Sequence, residues 1–264
     1  MFDLLRILIQ FVFRVTFGLA LAMGVTPPKL VTSGYYQKHL WVLMGLNTLA
    51  SLSIFSSRKS LAEVVPSTGW LMTVAIVLAV LNYVGSVCWL AEKKQAGGVV
   101  LYLTALLGLT AAILATPLAR VTTSLGVLLT LLDLASGGLV LGVTLAAMFL
   151  GHWYLNTPTM QLVPLKKLVI WMGVAILIRT LLCAAGLVLR VQGAETLPTE
   201  FWIFITLRWL SGLLGTLAMA WLTWETLKVP NTQSATGLLY AGVILAFIGE
   251  LTSQLMSVGE LYPV

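Results

Sequence analysis

"SLGVLLTLLDLASGGLVLGVTLAAMFLG" fills residues 124–151, and Asp133 is its one charged residue. A helix that crosses about 30 Å of hydrocarbon needs roughly 20 mainly apolar residues, and this run exceeds that length. It is too long and too uniformly apolar to be a barrel strand, whose side chains would alternate between lipid and lumen. The run ends in "HWYLNTPTM" at 152–160, where histidine, tryptophan and tyrosine give way to a polar turn containing proline.

Seven more runs have the same character: 3–24, 37–56, 66–91, 97–116, 165–190, 201–227 and 235–258. The connectors "VTPPK", "SSRK", "EKKQAGG", "ATPLAR", "NTPTMQLVP", "ETLPTE" and "VPNTQS" carry turn residues. Over all 264 residues, 59% are hydrophobic and 9% charged. Soluble domains carry roughly 25% charged residues, so this chain cannot cover itself with a surface that water accepts. A helix satisfies its own backbone polar groups, which lipid makes compulsory. The expected fold is all-α: a polytopic membrane helical bundle of about eight transmembrane helices, forming one transmembrane domain over 1–264.

The net charge of +6 does not imply a nucleic-acid partner. The cations are scattered over the loops and do not interleave with aromatic residues in a patch. Loop charge speaks to orientation instead. If the N-terminus lies on side A, then side B holds Lys29, Lys38, Lys93, Lys94, Lys166, Lys167 and Lys228. Side A holds Arg6, Arg58, Lys59, Arg120 and Arg190. This excess favours side B as cytoplasmic, with both termini outside a bacterial inner membrane. "ALA" at 20–22 resembles a signal cleavage site, but Asp3 sits beside Arg6 and Arg14 interrupts the apolar stretch. Both features argue for a retained first helix.

Several chemistries lack their motifs. Cys88 and Cys183 fall inside spans and form no CxxC or Cys/His pair of metal spacing, so no metal site is expected. GxGxxG, GxxxxGK[ST], HExxH and GxSxG are all absent, and spans 1–4 and 5–8 show no sequence repeat. Gly138 with Gly142, and Ser211 with Gly215, have the spacing that lets helix backbones approach. This spacing predicts that spans 5 and 7 are interior helices.

Five charges fall within spans: Arg14, Asp133, Arg179, Arg208 and Glu250. Each costs at least about 2.5–3.5 kcal/mol near the bilayer centre if left alone. At a rise of 1.5 Å per residue, all five lie roughly 10–17 Å from side A, so pairing is geometrically open to them. They form either structural salt bridges, Arg179 with Asp133 and Arg208 with Glu250, or a polar cavity or proton relay. Three cations against two anions leave one arginine for an anionic or carbonyl-bearing ligand, or for backbone carbonyls.

The chain's two histidines, His39 and His152, sit at span ends near side B. Neighbouring Tyr35, Tyr36, Trp41, Trp153 and Tyr154 fit an interfacial aromatic belt. The histidines themselves suit a plain interfacial role, a quinone site or, at this shallow depth less readily, haem b ligation. Asn47 lies two turns from His39 on one helix face, and Glu225 beside Trp224 closes span 7 on the same side. His39, His152, Asn47 and Glu225 would give a quinone pocket hydrogen-bond donors and an acid.

"HLWVLMGLNTLASLSIF" (39–55), "LLDLASGGLVLG" (131–142), "LRWLSGLLGTLAMAW" (207–221) and "FIGEL" (247–251) follow one another along the chain. In that order they resemble the polytopic quinol-interacting membrane-anchor subunits of dimethyl-sulfoxide-reductase and polysulfide-reductase type complexes. The resemblance implies two bundled groups of helices, no metal centre in the anchor, a quinone site and an iron–sulfur partner subunit that takes the electrons. It places structural or proton-handling roles on Arg208 and Glu250, and His39 at the quinone. The chain would then be a non-catalytic or quinol-oxidising subunit of a larger oxidoreductase. Two other readings stay open: a transporter or channel that uses the intramembrane charges, and a haem b membrane cytochrome.

Overall fold

A computed structural model of the chain describes residues 2–65, 67–118, 121, 123–157, 159–193, 196–229 and 231–257. Arg120, counted above for side A, lies outside them. The described residues form no strand. Among them, eight helices are long and apolar enough to cross a membrane. They are α1 (Phe2–Val25), α2 (Ser33–Val64), α3 (Thr68–Leu90), α4 (Lys94–Leu114), α5 (Ser124–Asn156), α6 (Val163–Gln192), α7 (Thr199–Thr226) and α8 (Thr232–Met256). Large apolar side chains stand open on their surfaces, including Trp70 (73% exposed), Leu181 (72%) and Trp221 (62%). Exposure on this scale suits lipid and not water.

Local chemistry sets the helix ends. Thr123 caps α5 by accepting a hydrogen bond from the Gly126 N–H, and Asn231 caps α8 by accepting from Ser234. Pro164 occupies the first turn of α6, where its missing N–H costs nothing. One boundary differs from the sequence reading. "SSRK" is not a connector, because α2 runs through it to Val64. None of its residues breaks a helix, and the Ser57 hydroxyl bonds back to the Ser53 carbonyl at 2.7 Å. The helix stops where Val65 turns extended (φ −123°, ψ 93°), as a residue preceding proline prefers.

The chain divides into two compact units, Met1–Leu118 and Ala119–Val264. In the first unit, α1 packs on α2, α2 on α3, α3 on α4, and α4 back on α1. Glycines permit the close approaches. A Cβ on Gly108 would sit 2.8 Å from the Phe17 backbone nitrogen, and one on Gly97 would sit 2.6 Å from the Trp89 ring. Trp89 in turn stacks on Tyr36, with centroids 3.9 Å apart and planes 11° from parallel. The Tyr36 hydroxyl donates to the Thr26 carbonyl at 2.9 Å. Tyr35 and Tyr36 are therefore buried packing residues and not belt residues. Trp41 is exposed, with the Lys38 ammonium 4.4 Å from its ring centroid.

The second unit repeats the cyclic order: α5 on α6, α6 on α7, α7 on α8, and α8 back on α5. Most of α5 is buried, as its small residues led us to expect. In contrast, α7 presents an open face through Ile203, Leu210, Leu214 and Trp221. Of the pair Ser211 and Gly215, only Gly215 faces α8, where a Cβ would lie 3.2 Å from the Leu245 side chain, and the closest approach of the backbones is elsewhere. Ser211 spends its hydroxyl on the Leu207 carbonyl at 2.6 Å. The backbones meet at Gly212 and Gly249 instead, where a Cβ on Gly212 would lie 2.5 Å from the Gly249 Cα. Around this contact, residues Arg208–Gly215 wind as a π-helix. The wide turn is visible in the Thr216 hydroxyl, which bonds five residues back to the Ser211 carbonyl at 3.3 Å.

This packing predicts the sign of two alanine substitutions in helix interiors. Gly249→Ala pushes a methyl into opposing backbone, and overpacking of that kind costs about 1–3 kcal/mol. Gly173 has nothing within 4 Å of its absent Cβ. Gly173→Ala should therefore be neutral or gain up to about 1 kcal/mol from helix propensity. Thermal unfolding of both variants in detergent reads the contrast.

Candidate functional site: a buried charge cluster in the second unit

Three helices of the second unit bring opposite charges together away from solvent. Asp133 comes from α5, Arg179 from α6 and Glu250 from α8, exposed 5%, 0% and 4% respectively. Arg179 is shared between the two carboxylates. Its Nη1 donates to Asp133 Oδ1 at 2.5 Å, to the Asp133 backbone carbonyl at 3.1 Å and to Ser136 Oγ at 3.1 Å. Its Nε and Nη2 form a fork on Glu250, with Nε–Oε1 at 2.9 Å and Nη2–Oε2 at 3.0 Å. Nη2 also reaches Ser253 Oγ at 3.2 Å. Paired donors on a carboxylate are the strongest arrangement open to a guanidinium.

Arg208 opens the π-helical segment and is 1% exposed. It does not form the ion pair with Glu250 that the sequence suggested, because Glu250 is held by Arg179. Instead, Arg208 Nη2 donates to Cys183 Sγ at 2.9 Å. Arg208 still lies within electrostatic reach of Arg179, Glu250 and Asp133. Among the described residues, the buried charges of this unit are thus two cations and two anions, with a formal sum of zero. Arg14, the fifth intramembrane charge, is buried in the first unit. Among the described residues, no three His, Cys, Asp or Glu side chains are grouped as metal ligands.

The four residues proposed for a quinone pocket are divided between the units. His39 and Asn47 belong to the first, and each is tied to its own helix. His39 Nδ1 lies 2.6 Å from the Tyr35 carbonyl, so that nitrogen carries the proton and donates. Asn47 Nδ2 donates to the Leu43 carbonyl at 2.8 Å and to Thr16 Oγ1 at 3.0 Å. His152 and Glu225 belong to the second unit. His152 is exposed, with Nδ1 3.3 Å from the Tyr240 hydroxyl. Glu225 is a surface residue paired with Lys228 at 2.6 Å.

The sequence reading gives no role to Ser136, Cys183, Ser253 or Gln254. A signal for all four was present. Ser136 stands three residues after Asp133, Cys183 four after Arg179, Ser253 three after Glu250, and Gln254 four after Glu250, so each shares a helix face with a buried charge. Comparison with family models, with curated proteins and with solved structures finds no match to this chain.

Because Arg179 serves two buried carboxylates, Arg179→Met should destabilise the protein by about 3–5 kcal/mol, the usual cost of stranding a buried charge. Adding Asp133→Asn and Glu250→Gln to that variant should recover part of the loss. Denaturant midpoints of the single and triple variants in detergent measure both effects.

Proposed function

We propose that this chain is an integral membrane carrier of protons, or of a solute coupled to them, with its working centre at Asp133, Arg179 and Glu250. The observation that carries this reading is the sharing of one buried guanidinium by two carboxylates. A purely structural ion pair needs one carboxylate, and buried pairs are often replaceable by apolar residues without loss. A second carboxylate on the same arginine adds a group whose protonation leaves the arginine still paired. Ionisable residues at such depth belong by default to ion and proton pathways. The π-helical segment beside the centre fits as well, since wide turns within helices gather at functional sites.

The second reading is the quinol-binding anchor, with His39, His152, Asn47 and Glu225 at the quinone and an iron–sulfur subunit as partner. Its support is the division of the chain into two four-helix units, which is the arrangement that the resemblance implies. Placement in a bacterial inner membrane with both termini outside accompanies either reading and rests on the lysine excess of side B.

One preparation separates the readings. Purified protein in liposomes should pass protons down an imposed pH gradient. Glu250→Gln should lower the flux at least tenfold, while Glu225→Gln should leave it unchanged. Wild-type flux no greater than that of empty liposomes, both without added solute and with small carboxylates present, would remove the carrier. Quinone that co-purifies with the wild type and is lost in His39→Ala would install the anchor in its place.

A further inference from the structure

Arg179 and Arg208 are equally buried but differ in how their donors are used. Every nitrogen of Arg179 faces an oxygen. Arg208 gives one nitrogen to a thiol, which is a weak acceptor, and its Nη1 has no hydrogen-bond partner among the described residues. A second buried group shares that condition. Gln254 is 5% exposed, and neither its Nε2 nor its Oε1 has a partner among the described residues. Leaving such a group buried and unsatisfied costs about 1–3 kcal/mol, and more when it is charged.

The two groups stand at one level of the unit. Helices α6 and α8 are separated by one intervening span, so they run in the same direction. The Arg179–Glu250 pair fixes their register. Four residues onward along each, about 6 Å at the helical rise, are Cys183 and Gln254. Arg208 reaches that same level from α7, because its guanidinium touches Cys183. The Gly212–Gly249 contact agrees, since one turn back on α7 matches one turn forward on α8. The side chains accompanying them, Cys183 and Ser253, are small.

We propose that Arg208 and Gln254 form the binding position for a small monocarboxylate, one helical turn from the Asp133–Arg179–Glu250 cluster. This inference rests on the carrier reading and names its substrate class. A carboxylate accepts from both Arg208 Nη1 and Gln254 Nε2, and guanidinium is the natural partner of its two oxygens. The charge sum selects a monoanion. Two arginines and two carboxylates sum to zero, so one bound carboxylate brings the interior to −1. Uptake of one proton by Glu250 or Asp133 returns it to zero. The loaded state is then neutral, holding one anion and one proton together, and it avoids an unpaired charge in a low-dielectric interior. A dianion such as phosphate would leave one charge uncompensated. The small neighbours suit a ligand the size of acetate and not an aromatic acid.

Sodium acetate is the probe, titrated against the thermal stability of the full chain in lipid nanodiscs at constant ionic strength, with sodium chloride as the matched control. The wild type should show a saturable rise in Tm with acetate and none with chloride. The apparent affinity should strengthen on acidification by up to about tenfold per pH unit, as expected when one proton binds with the anion. Arg208→Gln should abolish the response, Gln254→Leu should weaken it at least tenfold, and Glu200→Gln, at an exposed carboxylate of α7, should not change it. If Arg208→Gln does not fold, Arg208→Lys keeps the charge, loses the planar fork and should still raise the apparent Kd for acetate. An unsaturable response, an equal response to chloride, or an undiminished one in the Arg208 variants overturns the proposal. Proton flux without acetate binding would leave the carrier and sink this site. Acetate binding without proton flux even when carboxylate is supplied would keep the site and sink the carrier.

Discussion

The second helical unit depends on a single guanidinium. Arg179 joins α5 to α6 through Asp133 and α6 to α8 through Glu250, and it uses Ser136 and Ser253 to fill its remaining donor directions. Lipid gives apolar helix faces no reason to prefer one another over acyl chains, so polar contacts and close packing must choose the partners. A charge cluster of this kind does both. It fixes which helices are neighbours and sets their register to within a turn. The layer of Cys183, Arg208 and Gln254 takes its place from that register.

Glycine does comparable work beside the charges. At Gly212 and Gly249 the α7 and α8 backbones meet with no side chain between them. In the first unit, Gly108 and Gly97 admit the α1 backbone and the Trp89 ring. The first unit adds amide and hydroxyl contacts. Gln10 of α1 donates to Ala112 of α4 and to Thr116 just beyond its end, and Asn47 donates to Thr16 across α2 and α1. The two units thus share the same cyclic helix order, with these amide and hydroxyl contacts beside the buried Arg14 in one and the Asp133–Arg179–Glu250 cluster in the other.

The eight spans were legible because hydrocarbon thickness imposes a length and an apolarity that composition cannot disguise. Their ends were legible only where proline or a capping side chain marked them, and "SSRK" misled because polar residues in a helix that leaves the bilayer look like a loop. Asp133, Arg179 and Glu250 could be named as candidates from cost alone, since an intramembrane charge needs a partner. Their pairing could not. Which carboxylate meets which arginine depends on the rotation of each helix about its axis, and the π-helical turn at Arg208–Gly215 alters that rotation in α7. The tyrosines beside His39 show the same limit from another side. Aromatic residues near a span end fit the headgroup belt, yet Tyr36 lies inside, stacked on Trp89 from another helix.

The continuation of α2 through Arg58 and Lys59 bears on where water-soluble neighbours could dock. Its 32 residues amount to about 48 Å of helix, against about 30 Å of hydrocarbon. The 21 residues of α4, by contrast, give about 32 Å and little to spare. A mismatch of that size is absorbed by tilt or by projection beyond the acyl chains. The cations fall in the last two turns of α2, so projection places them in the aqueous layer on a helix whose inner face stays packed through Ser57 and Leu61, and not on a loose connector. A chain whose loops are short can therefore still present Arg58, Lys59 and Glu63 to the medium beside the membrane on a stiff helix end.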